Sequence, residues 1–131
     1  CGKYAENLGV TLAVEPEIRY ETDYIHTVDE ALRLIEEVGL NSVKIMVDTF
    51  HMNVEESSMT EPIRKAAKEL AHVHLADNNR CAPGMGHIDF SEVIQTLKEI
   101  GYHRYLGLEI APKPNPDTAA KKGIEVVRKL L

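Results

Sequence analysis

The chain has 131 residues, 44% hydrophobic and 27% charged, with a formal charge of −6 from 21 acidic and 15 basic residues. That length gives one domain with a real core, and no stretch approaches the roughly 18 apolar residues a membrane span needs. The acidic balance argues against a phosphate-backbone binder, which would show a basic face, so no nucleic-acid partner and no membrane partner is expected.

Two cysteines, Cys1 and Cys81, form neither a disulfide framework nor a Cys-x-x-Cys knuckle, and reduced thiols in a cytoplasmic protein are the simpler reading. The chain begins Cys1-Gly2-Lys3 without an initiator Met, which reads as a fragment or a processed chain.

In chain order, Val10 to Glu15 reads as a buried strand ended by Pro16. Thr27-Val-Asp-Glu30 is a capping box, followed by Ala31, Leu32, Leu34, Ile35 and Val38 at helical spacing up to Gly39. Val43 to Val47 is a β-branched run. Thr60-Glu-Pro62 opens a helix with proline in its first turn, and Ile63, Ala66, Ala67, Leu70 and Ala71 continue the spacing. Val73 to Ala76 is a third strand. Asp89-Phe-Ser91 starts a helix carrying Val93, Ile94, Leu97 and Ile100 and closed by Gly101. Tyr105 to Ile110 is the fourth strand, and Asp117 to Leu131 the last helix. Four βα units with strands buried on both faces mean parallel pairing, either in a small open sheet or in half of a (βα)₈ barrel, whose usual length is about 250 residues.

Each apolar run ends at a residue that can bind a metal: Glu15, Asp48, His74 and Glu109. Parallel strands present their carboxyl ends on one side, where such folds keep their chemistry. In a barrel all four ends point to one axis, whereas in an open sheet the outer two lie far apart. No G-x-G-x-x-G follows a strand, and Gly84-Met-Gly86 lacks the third glycine, so the barrel is preferred.

In Asp48-Thr-Phe-His51, the histidine sits three residues beyond the strand end, close enough to share its pocket. In His72-Val-His74 the two imidazoles share a strand face. His74 is nearer the carboxyl end and is taken as the ligand, with His72 a packed neighbour. A Glu that closes an apolar strand, like Glu109, needs a partner or a cation if buried. The loop from Asp77 to His87 is long for a βα connection, as functional loops often are. Its Arg80 suits either a substrate oxygen or a surface salt bridge. His87 is read as a surface or loop-packing residue, and His26 and His103 are given no role. Three carboxylates and an imidazole suit Mn²⁺ first, or Mg²⁺ or Co²⁺, better than Zn²⁺.

The segments Glu15-Pro-Glu-Ile-Arg19-Tyr-Glu21, Asp48-Thr-Phe-His51-Met-Asn, His74-Leu-Ala-Asp-Asn-Asn-Arg80 with Pro83-Gly-Met-Gly86-His87, and Leu108-Glu109 resemble the sugar phosphate isomerase/epimerase superfamily. That superfamily has a xylose isomerase-like TIM barrel, and the nearest subgroup is the ketose 3-epimerases of D-tagatose 3-epimerase type. The resemblance implies that residues 1–131 are the C-terminal half of that barrel, strands five to eight. It implies Glu15, Asp48, His74 and Glu109 as metal ligands, Glu15 and Glu109 also as the acid–base pair, and Glu21, His51 and Arg80 as substrate-orienting residues. The substrate would be a small sugar, epimerised at C3 through an enediolate. Pro16-Glu17-Ile18 and Ile110-Ala-Pro-Lys113 depart from the family's usual residues and leave the choice of sugar open. A half-barrel exposes two sheet edges, so a homo-oligomer or a pairing with an N-terminal half is expected.

The alternatives are an inosose-type dehydratase or hydroxypyruvate-type isomerase on the same metal, an inactive half-barrel, and, last, an endonuclease IV-type phosphodiesterase. The last would need an Asp-x-His pair that the Asp77–His87 loop lacks.

Overall fold

The computed structural model describes all 131 residues. Its elements are α1 (Gly2–Leu8), β1 (Leu12–Val14), α2 (Val28–Val38), β2 (Val43–Asp48), α3 (Thr49–Glu55), α4 (Glu61–Ala66), β3 (Leu70–Leu75), α5 (Phe90–Glu99), β4 (Leu106–Leu108) and α6 (Pro116–Leu130). The strands pair in chain order, β1-β2-β3-β4, all parallel. This is the α/β half-barrel of four βα units.

Alternation along the strands divides the two faces. Val43, Ile45 and Val47 of β2, and Val73 and Leu75 of β3, are buried beneath the helices. They join Ala31 and Ile35 of α2, Ile63 and Ala66 of α4, and Val93, Ile94 and Leu97 of α5 in one core. The opposite face carries Lys44, Met46, His72 and the candidate ligands, and apart from the buried Asp48 it is half-buried or exposed. The expectation of strands buried on both faces is corrected accordingly: helices cover one face only.

Local signals explain most boundaries. Thr27 Oγ1 accepts the Glu30 N–H while Glu30 Oε2 accepts that of Thr27, which completes the capping box of α2. Gly39 ends α2 in the left-handed conformation, φ 61°. Asp89 and Asn115 cap α5 and α6 with their side-chain oxygens. Leu108 packs so closely on α6 that a Cβ at Gly123 would lie 2.7 Å from its Cδ1.

The helix expected to run to Ala71 stops at Ala66. Leu70 and Ala71 begin β3 instead, where Leu70 pairs with Ile45 and the Ile45 N–H donates to Glu69 O at 3.0 Å. Apolar spacing fits either element here, and pairing with the central strand decides it. Two short helices, α1 and α3, were not expected. The outer strands β1 and β4 are three residues each, shorter than their apolar runs.

Candidate metal centre

Glu15 and Glu109 each follow the last residue of their strands, Asp48 ends β2, and His74 is the penultimate residue of β3. Asp48 pairs in register with His74, and His74 with Gly107, which places the side chains on adjacent rungs of the open face. One donor atom from each of Glu15, Asp48, His74 and Glu109 lies within 4.8 Å of the other three. His74 Nδ1 is 2.9 Å from Glu109 Oε2, 3.7 Å from Glu15 Oε1 and 3.9 Å from Asp48 Oδ2.

Supporting contacts hold this arrangement. Thr49 Oγ1 donates to Ala76 O at 2.7 Å and accepts the Ala76 N–H at 2.9 Å, tying the ends of β2 and β3 together. Asp48 is fully buried, and its Oδ1 accepts the Phe50 N–H at 2.7 Å. Gly107 is required by space: a Cβ there would meet His74 Cδ2 at 2.8 Å and His72 Nε2 at 3.0 Å. His72 is half-buried and meets the His74 ring edge-on at 4.9 Å.

The electrostatics are those of crowded acids. Burial, with Asp48 and Glu109 close by, pushes the Glu15 carboxyl up to about 7. Burial also raises Asp48, against the opposing pull of Arg80 and the Phe50 amide. Burial would raise Glu109 too, but its hydrogen bond with Asp48, then Arg80 and His74, hold it below the ordinary range. Glu15 Oε1 and His74 Nδ1 are both inaccessible to solvent and make no hydrogen bond, the Nδ1 lying 2.9 Å from Glu109 Oε2 but outside hydrogen-bond geometry. Buried polar atoms are normally satisfied. Two orphaned lone-pair donors beside two further carboxylates fit a hard divalent cation.

The structure places the other candidates as follows. His51 is buried, and its Nδ1 accepts the Ile18 N–H at 3.3 Å. That bond leaves Nε2 as the proton-bearing nitrogen of a neutral ring. Arg80 adopts φ 61° and stacks over Phe50 with its guanidinium 4.7 Å from the ring centroid. It pairs with two of the candidate ligands, Nη1 to Asp48 Oδ2 at 2.7 Å and Nη2 to Glu109 Oε2 at 2.8 Å, so its ion pairs lie in the centre and not on the outer surface. Glu21 is exposed on the β1–α2 loop, its N–H donating to Ile18 O. That loop docks on α3 through Arg19, which binds Glu55 through its backbone N–H and guanidinium, and the start of α2 is held alongside by the Val28 N–H donating to Glu56, the residue that caps α3. The Arg19 guanidinium pulls Glu55 down to about 2. His87 is exposed.

The strand order defines half of a parallel (βα)₈ barrel, with the candidate metal centre at the carboxyl ends of the strands. A family profile described as the xylose isomerase-like TIM barrel matches residues 1–130, and the chain belongs to that family. A D-psicose 3-epimerase of Enterocloster bolteae is 45% identical over 100 residues, 76% of this chain and 33% of that protein. A 3-dehydro-D-guloside 4-epimerase of Escherichia coli is 36% identical over 105 residues, 80% of this chain and 40% of that protein. The crystal structure of a D-allulose 3-epimerase from Methylomonas sp. superposes with a TM-score of 0.93 at 27% identity, covering 99% of this chain and 52% of that one. The chain thus spans about a third of the length of the first-named relative and about half of the superposed chain.

Proposed function

We propose that this chain supplies the metal-binding, proton-transferring half of a ketose 3-epimerase, with the remaining barrel strands completing the substrate pocket. The observation that carries the reading is the convergence of Glu15, Asp48, His74 and Glu109 with two buried, unpartnered donor atoms. These four residues would hold one divalent ion, for which we propose Mn²⁺. When bound, that ion would supply Lewis-acid stabilisation of the charge that develops on the ketone oxygen.

The chain's own residues perform the rest. One of Glu15 and Glu109 removes the C3 proton, and the C–H electron pair moves to form the enediolate. The other, protonated at the start, returns its proton to the opposite face of C3 and inverts it, so the two glutamates exchange protonation states and solvent resets them. Both carboxylates reach the same His74 nitrogen, at 3.7 and 2.9 Å, so both belong to one small reaction centre. His51, with Nδ1 committed to Ile18, presents an Nε2–H donor for a substrate oxygen. Arg80 and Glu21 complete the orienting set. The substrate is a small sugar, and the free thiols of Cys1 and Cys81 suit a reducing cytoplasm. No helix is long and apolar enough to cross a membrane.

The test is solvent isotope exchange. Incubated with Mn²⁺ and D-psicose in D₂O, the chain within its completed barrel should release a C3 epimer that carries deuterium at C3. Metal-independent turnover, or a product without solvent deuterium, would contradict the two-glutamate scheme.

A further inference from the structure

Asp77 was not among the candidate site residues, yet it is fully buried and organises the whole β3–α5 connection. Its Oδ1 accepts the N–H groups of Asn78 at 2.9 Å and Ile88 at 3.1 Å. Its Oδ2 accepts those of Gly84 at 2.9 Å and Gly86 at 2.8 Å. Four backbone donors and no acceptor face this carboxylate, so both oxygens are used as acceptors to capacity. Its main chain closes the same turn: the Asp77 N–H donates to Cys81 O at 2.9 Å, and the Arg80 N–H donates to Asp77 O at 2.8 Å. Gly86 is shaped around it, since a Cβ there would lie 2.3 Å from Asp77 Oδ1 and 2.0 Å from Asn78 Oδ1.

What this frame holds in place is Arg80. The residue sits in the left-handed region that a non-glycine residue adopts at a cost, so the surrounding structure must impose it. Its carbonyl is gripped from the far side by the Ala111 N–H at 2.6 Å. From that backbone position its guanidinium spans Asp48 and Glu109. We propose that Asp77 is a positioning residue that fixes Arg80 across Asp48 and Glu109, and so sets how strongly a cation competes for those two carboxylates. The proposal deepens the epimerase reading and rests on it for its consequence in turnover. The positioning itself is a property of the metal-free chain.

Two measurements test it on the full chain. In metal-free protein, the Arg80 guanidinium N–H signals should be slow to exchange and shifted by the Phe50 ring, and D77N should abolish both features while core methyls of Val93 and Ile94 stay unshifted. In Mn²⁺ titrations at pH 8, R80Q should bind at least threefold tighter, because a positive charge has left the two carboxylates. D77N should shift affinity in the same direction, and the double variant should show no further gain. A merely structural role for Asp77 predicts the opposite sign, with looser binding and additive effects. Unchanged Arg80 signals in D77N, or additivity, would overturn the proposal. Should D77N fold poorly, hydrogen exchange on the unmodified chain decides. The Asn78, Gly84, Gly86 and Ile88 amides should lose protection together with the Arg80 guanidinium, and independent exchange would overturn it. If the unmodified chain binds no Mn²⁺, the epimerase reading fails while the Arg80 signals still test the positioning.

Discussion

Glu15 gives the sharpest quantitative expectation, because removing it should stabilise the metal-free chain. Its folded-state carboxyl is raised from 4.5 to about 7. A raised carboxyl favours the protonated form, so the stability it contributes is fully present below pH 4.5. That stability is lost as pH rises through 7. The shift corresponds to at most about 3 kcal/mol, and about 2 kcal/mol is a fair figure for a side chain that keeps some solvent contact. The substitution Glu15→Gln removes the charge with almost no change in shape. Urea unfolding in the presence of a chelator should therefore give equal stabilities for the two proteins near pH 4.5. At pH 8 the variant should be more stable by about 2 kcal/mol. Saturating Mn²⁺ should reverse the order, since the unmodified site gains binding energy that the variant lacks. A chelated Glu15→Gln variant less stable than the unmodified chain at pH 8 would refute the account of crowded, uncompensated acids.

Other expectations follow from the same geometry. Mn²⁺ affinity should climb as pH rises toward about 7 and level off above it, with protons released on binding, because Glu15 must lose its proton to ligate; calorimetry in buffers of different ionisation enthalpy measures this. Gly107→Ala should push the His74 ring aside and weaken metal binding about 10-fold or more, with equilibrium dialysis as the assay. Glu109→Gln should retain some metal yet lose turnover, and full turnover in that variant would sink its acid–base role. Ile94→Ala, at a fully buried core position, should cost about 2–5 kcal/mol in urea unfolding without changing metal stoichiometry.

Much of this architecture was legible as a pattern of punctuation. Apolar runs of strand length, capping residues before the helical spacing, and glycines after it gave the order of four βα units. The convergence of the four candidate ligands was legible because each polar residue that closes a buried strand must be paired, coordinated or solvated. Local signals failed where tertiary pairing decides the outcome. Leu70 and Ala71 fit a helical stripe, and only the neighbouring β2 draws them into β3. The Arg80 pairs with Asp48 and Glu109 span 32 and 29 residues, and no spacing rule reaches that far. Asp77 stands first in a loop rich in asparagine and glycine, a composition that signals a turn but not a buried carboxylate serving four amides. Gly107 was visible inside an apolar run, where a glycine signals a close approach, yet the two imidazoles that need the room were not.

The central claim is that Glu15, Asp48, His74 and Glu109 form one divalent-metal site. Electron-nuclear resonance of Mn²⁺ added to the chain tests it most directly. The account predicts one Mn²⁺ per chain, coupled to a single imidazole nitrogen and losing that coupling in His74→Ala. Mn²⁺ that stays free in solution, or bound Mn²⁺ without a nitrogen ligand, would contradict it.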